Sequence, residues 1–202
     1  MDGGQQIASL RDHLGIRVRQ SFEPLTRTLQ RLHVTPNQIT VFGALVTVVA
    51  AGLVVRGEYV AAGIVFFLGC CLDMLDGALA RLAQMVTPFG AFFDSTLDRA
   101  VEGVLLAAIA YRFALQDRNV TVAVVALALL GSLLVSYTRA RAEALGLECK
   151  VGLASRAERI VLLSLGLVFP VLLPYAIYLL AVLTGVTVVQ RVVHTYRQLQ
   201  IR

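Results

Sequence analysis

The chain has 202 residues, of which 57% are hydrophobic, with a mean hydropathy of +0.75 and a formal net charge of +5. That composition suits a protein living in a bilayer and argues against a soluble globular domain. No internal repeat, low-complexity tract or second soluble domain is visible, and no nucleic-acid partner is expected.

Residues 1–35 are polar and amphipathic and contain no stretch that reads as a cleavable signal peptide. From Ile7 to Leu32, Arg alternates with Leu, Ile and Phe at near-helical spacing. This predicts an amphipathic segment lying along the cytoplasmic interface, where Arg meets anionic headgroups. A solvated basic tail is the alternative. The remaining residues, 36–202, read as one membrane domain. Thr35-Pro36-Asn37 supplies its first helix start, with Thr35 as N-cap and Pro36 at the first helical position.

Six apolar stretches follow, at about 38–56, 59–80, 90–115, 119–138, 157–173 and 175–196. Each approaches the length a helix needs to cross roughly 30 Å of hydrocarbon. The expected fold class is therefore all-α: a polytopic membrane protein of six transmembrane helices plus the N-terminal interfacial helix. Seventeen of the eighteen basic residues are Arg, and they are unevenly placed. Arg11 to Arg31, Arg81 and Arg99, Arg139 to Arg159, and Arg191 to Arg202 fall on one side. Arg56, Arg112 and Arg118 fall on the other. The positive-inside rule puts both termini, and the acidic cluster at the ends of the second and third spans, on the cytoplasmic side of a cell (inner) membrane.

Asp73, Asp76, Asp94 and Asp98 stand out in this apolar sequence, because an ionisable side chain in such surroundings needs a wet cavity or a cation. Residues four apart share a helix face. Asp73, Gly77 and Arg81 form one stripe of the second span, Asp76 and Ala80 the adjacent one, and Gly90, Asp94 and Asp98 a stripe of the third. Small residues at positions 77, 80 and 90 allow a backbone or flat ligand to approach closely. Carboxylates without nearby His or Cys ligands favour Mg²⁺ or Mn²⁺ over Zn²⁺. Four of them suffice for two ions, an arrangement that suits in-line displacement at phosphorus. The plainer alternative pairs these acids with Arg81 and Arg99.

Asp73-Met-Leu-Asp76-Gly77-Ala-Leu-Ala80-Arg81, with Gly90, Asp94 and Asp98 after it, resembles the signature of the CDP-alcohol phosphatidyltransferases, with every defining position filled. The likeness runs from Thr35-Pro36-Asn37 to Gln190-Arg191. It implies transfer of a phosphatidyl group from CDP-diacylglycerol to an alcohol hydroxyl, with CMP released. On that resemblance Asp73, Asp76, Asp94 and Asp98 are metal ligands, and Asp98 also accepts the hydroxyl's proton. Gly77 and Arg81 hold the cytidine diphosphate, with Asn37, Thr40 and Thr87 as further contacts. Capping of the first helix is the alternative for Asn37 and Thr40.

Tyr137-Thr-Arg139-Ala-Arg141-Ala-Glu143, Ser155-Arg156-Ala-Glu158-Arg159 and Arg191 resemble the phosphatidylinositol phosphate synthases of that family. The resemblance assigns Arg139, Arg156 and Arg191 to the phosphate of inositol 1-phosphate. Several Arg donors facing one cavity suit a dianion. An ordinary basic loop is the alternative for Arg139, Arg141 and Arg159. Three positions depart from the subgroup: Arg139 replaces a usual Lys, Asn37 a possible Asp, and Ser155 a common acid. Glycerol 3-phosphate, as for a phosphatidylglycerophosphate synthase, is therefore a second acceptor, and a divalent-cation carrier is the reading from another class. A homodimer is also suggested by the likeness. Cys70, Cys71 and Cys149 are expected to form no disulfide.

Overall fold

The computed structural model describes residues 35–82 and 87–200; for 74–78 and 80–82 it describes the backbone only. The N-terminal segment expected at the interface lies outside these residues. Among the described residues there are six helices and no strand. In chain order they are α1 (Pro36–Arg56), α2 (Tyr59–Leu82), α3 (Pro88–Ala114), α4 (Asn119–Ala144), α5 (Arg156–Val168) and α6 (Leu173–Gln200).

The elements match the expected spans with two informative differences. α4 runs past 138 to Ala144, because Arg139 and Glu143 pair across one turn at 2.8 Å and only Gly146, at φ +71°, breaks the pattern. α5 stops at Val168 rather than 173: Pro170 disfavours a helical Phe169, whose backbone sits at φ −114°, ψ 82°. At thirteen residues α5 is about 20 Å long, short of the hydrocarbon thickness. By length and composition α1, α4 and α6 suffice to cross a membrane, with mean hydropathies of 2.2, 2.3 and 1.9. The Tyr59–Asp73 part of α2 is a shorter apolar stretch. α3 carries Asp94, Asp98, Arg99 and Glu102, and falls outside that group.

The chain divides into two compact units, residues 1–43 with 71–97, and residues 44–70 with 98–202. In the second unit, Val54, Phe66, Leu105, Ile109, Leu163, Leu167 and Ile177 form one buried apolar core. The opposite faces are apolar too: Val120, Val171, Val182 and Val189 are each more than 60% exposed. Exposed apolar surface on that scale needs lipid around it, so this is a membrane protein.

α4 and α6 approach closely at Gly131, where an added Cβ would lie 2.8 Å from the Thr184 Cβ and still nearer its hydroxyl. Gly131→Val is therefore expected to cost about 1–3 kcal/mol through overpacking. A lowered thermal unfolding midpoint in detergent checks this; an unchanged midpoint refutes close α4–α6 packing at that point.

Candidate active site

In the first unit two Thr-Pro steps start two helices. Gln38, third in α1, turns its side-chain oxygen back to accept from the Thr35 N–H at 2.9 Å, one half of a capping box. Thr87 caps α3: its hydroxyl oxygen accepts from the Gly90 N–H at 3.0 Å. A Cβ on Gly90 would sit 3.0 Å from Thr87 Oγ1 and 3.3 Å from Asn37 Oδ1. Asn37, Thr87 and Gly90 thus meet, and the glycine keeps open a small polar cradle between an amide and a hydroxyl. Thr40 is buried and its hydroxyl donates to the Pro36 carbonyl at 3.1 Å.

Asp73, near the end of α2, and Asp94, on α3, are half-buried, and Asp94 Oδ1 is fully withdrawn from the surface. Asp76, Gly77, Ala80 and Arg81 lie on the helical backbone of α2, with side chains outside the described residues. The oxygen-only donor set suits a hard divalent cation. Among the described residues no three acidic, His or Cys side chains stand together as a ligand group.

The second unit holds the charged groups that face one another across α3 and α5. Asp98 is buried, 8% exposed, and its Oδ1 accepts from Arg156 Nη2. Its partner is thus Arg156, at the start of α5, which the sequence assigned to the acceptor. One turn further on, Arg159 and Glu102 form a bidentate pair, Nε to Oε1 and Nη2 to Oε2 each at 2.8 Å. Arg159 is 3% exposed and also donates to the Ala154 carbonyl at 3.3 Å. It is therefore a buried structural cation rather than a member of an ordinary basic loop.

Arg191 is 4% exposed inside α6. Its Nε donates to the Val151 carbonyl at 3.0 Å and its Nη1 to the Val135 carbonyl. Arg139 is half-exposed and paired with Glu143. The three arginines read from sequence therefore have separate immediate partners: Glu143, Asp98 and two backbone carbonyls. They do share a field. Arg191 interacts electrostatically with Arg139, Arg159 and Glu143, and Arg99 with Asp98, Arg156, Arg159 and Glu102. Among these named groups five guanidiniums stand against three carboxylates, a cationic surplus that suits a dianionic ligand.

Glu102 was not singled out in the sequence, although it continues the stripe of Gly90, Asp94 and Asp98 by one more turn. An acid that deep in a span demands a partner, and this was the available signal. Cys70, Cys71 and Cys149 form no disulfide in the structure.

A family profile described as CDP-alcohol phosphatidyltransferase matches residues 33–193. Archaetidylinositol phosphate synthase of Pyrococcus horikoshii is 38% identical over 185 residues, which cover 91% of this chain and 95% of that one. The fold resembles crystal structures of Mycobacterium tuberculosis phosphatidylinositol phosphate synthase at 33% identity and a TM-score of 0.80. One of these has CDP-DAG bound, with 86% of this chain and 92% of that one covered. The other is in complex with manganese and citrate, with 86% and 88% covered. With the signature complete and the match spanning most of its length, the chain belongs to the CDP-alcohol phosphatidyltransferase family and is a transferase.

Proposed function

We propose that this enzyme joins a hydroxyl of inositol 1-phosphate to the phosphatidyl group of CDP-diacylglycerol. The new bond forms between the hydroxyl oxygen and the lipid-bearing phosphorus; the bond from that phosphorus to CMP breaks, and the proton passes to Asp98. The observation that carries this reading is the Arg156–Asp98 pair within a field of arginines. It puts a guanidinium, a group suited to phosphate, beside the carboxylate that would take the hydroxyl's proton, so an acceptor anchored there by its phosphate would present its hydroxyl nearby. The names of the relatives support the same acceptor.

Asp73, Asp76, Asp94 and Asp98 would hold two Mg²⁺ or Mn²⁺ ions. Bound there, a divalent cation supplies charge stabilisation to the transferring phosphate and lowers the hydroxyl's pKa. Gly77 and Arg81 would hold the cytidine diphosphate, and the cradle of Asn37, Thr87 and Gly90 suits the edge of the nucleotide, with Thr40 behind it. Arg139, Arg156 and Arg191 would receive the acceptor phosphate, Arg191 through donors not already given to carbonyls. All six spans would cross a cell (inner) membrane, α5 completing its crossing with the turn at 169–172, with both termini and the site cytoplasmic, residues 1–35 lying along the interface, residues 36–202 forming the membrane domain, and two copies pairing within the bilayer.

An acceptor screen tests the reading. Purified protein is incubated with CDP-diacylglycerol, Mg²⁺ and either inositol 1-phosphate or glycerol 3-phosphate, and CMP is measured. Inositol 1-phosphate is expected to give the higher kcat/KM. Preference for glycerol 3-phosphate overturns inositol 1-phosphate as the acceptor, and absence of CMP with both overturns a phosphorylated polyol as the acceptor.

A further inference from the structure

The connection 145–155, between α4 and α5, ends at Arg156, so whatever fixes its backbone also fixes where that guanidinium starts. One face of α6 does the fixing. Thr187, Arg191 and His194, spaced four and three apart, each reach a main-chain group of the connection. His194 Nε2 lies 3.2 Å from the Glu148 carbonyl, and Arg191 Nε donates to the Val151 carbonyl at 3.0 Å. Thr187 takes the last two residues before the N-cap: its oxygen accepts from the N–H groups of Leu153 at 3.1 Å and Ala154 at 2.9 Å. Its own proton goes to the Leu183 carbonyl at 2.7 Å. A hydroxyl has one donor and two acceptor sites, and here all three are used in a fully buried position.

Gly152 completes the fit. It adopts φ +131°, which L side chains rarely take, and an added Cβ would run into the Thr187 methyl group and come within 3.5 Å of Arg191 Nε. Only a glycine lets the connection lie this close to α6.

We propose that Thr187 is a positioning residue for the acceptor site: it sets the connection so that Arg156 leaves the N-terminus of α5 aimed at Asp98. The Thr187 hydroxyl is fully engaged by Leu153, Ala154 and Leu183, so its effect passes through Leu153, Ala154 and Ser155 to Arg156. The inference rests on the assignment of Arg156 to the acceptor phosphate. It separates Thr187 from the arginines, because the hydroxyl carries no charge that could bind the acceptor itself.

The test uses the full chain in detergent, with CDP-diacylglycerol and the better of inositol 1-phosphate and glycerol 3-phosphate. Thr187→Val keeps the shape but offers the two N–H groups no acceptor. It is expected to raise the acceptor KM about tenfold or more while the KM for CDP-diacylglycerol stays within about twofold. Thr187→Ser restores the oxygen and is expected to recover the acceptor KM. Gly152→Ala disturbs the same contact from the other side, leaves the hydroxyl intact and is expected to reproduce the split; it decides the matter if Thr187→Val does not yield folded protein. Equal rises in both KM values, a loss confined to kcat, or failure of Ser to rescue overturns the proposal. Failure of the underlying acceptor reading shows separately, as wild-type protein that releases no CMP with either phosphorylated polyol.

Discussion

Asp98→Asn is expected to lower kcat by roughly 10²- to 10⁴-fold, the range a positioned general base contributes. Asn matches Asp in shape and still offers Arg156 an acceptor oxygen, so the buried contact between α3 and α5 survives. What it lacks is the anionic charge, and with it the ability to take a proton and much of the ability to hold a divalent cation. The fall should appear in kcat, with titration of a cytidine nucleotide still showing binding, because the proposed nucleotide contacts Asn37, Thr87 and Gly90 are left unchanged. An Asn variant that turns over at the wild-type rate removes Asp98 from the role of proton acceptor. A variant that loses nucleotide binding as well assigns Asp98 to holding the site together.

The largest stability effect is expected at Glu102. Removing its carboxylate leaves Arg159, 4% exposed at the side chain, without the partner that neutralises it. Breaking such a buried pair from one side costs on the order of 3–5 kcal/mol. Glu102→Ala should therefore lower the thermal midpoint in detergent steeply. Glu143→Ala is the matched control, since Glu143 and Arg139 are each about half-exposed and such pairs contribute about 0–1 kcal/mol. Replacing both Glu102 and Arg159 with apolar residues of similar volume should recover much of the loss, because no charge is then stranded. Equal midpoints for Glu102→Ala and Glu143→Ala would show that burial does not distinguish these two pairs.

The helices were legible because span length and charge bias are coarse signals that survive without knowledge of contacts. Thr35-Pro36 also gave its start correctly, although the bond observed there is made by Gln38 rather than by the Thr35 side chain. The ends of α4 and α5 were misjudged for local reasons: a salt bridge extended one helix, and a proline shortened the other. The acidic signature was legible as chemistry, since carboxylates in an apolar run have few uses. The partners of the arginines were not. Spacing says that Arg159 and Arg191 need something negative or polar, but not that one finds Glu102 and the other two carbonyls. Thr187 carried no signal at all: a threonine in an apolar helix looks the same whether it back-bonds to its own turn or also holds a distant loop.

The two rungs, Asp98 with Arg156 and Glu102 with Arg159, sit about one helical turn apart and ascend in the same direction along both chains. They work like the teeth of a key. Were α5 to slide one turn along α3 so that Glu102 faced Leu163, that carboxylate would lie against a fully buried leucine with its charge unpaired. Sliding in that direction is thereby opposed by a stranded charge.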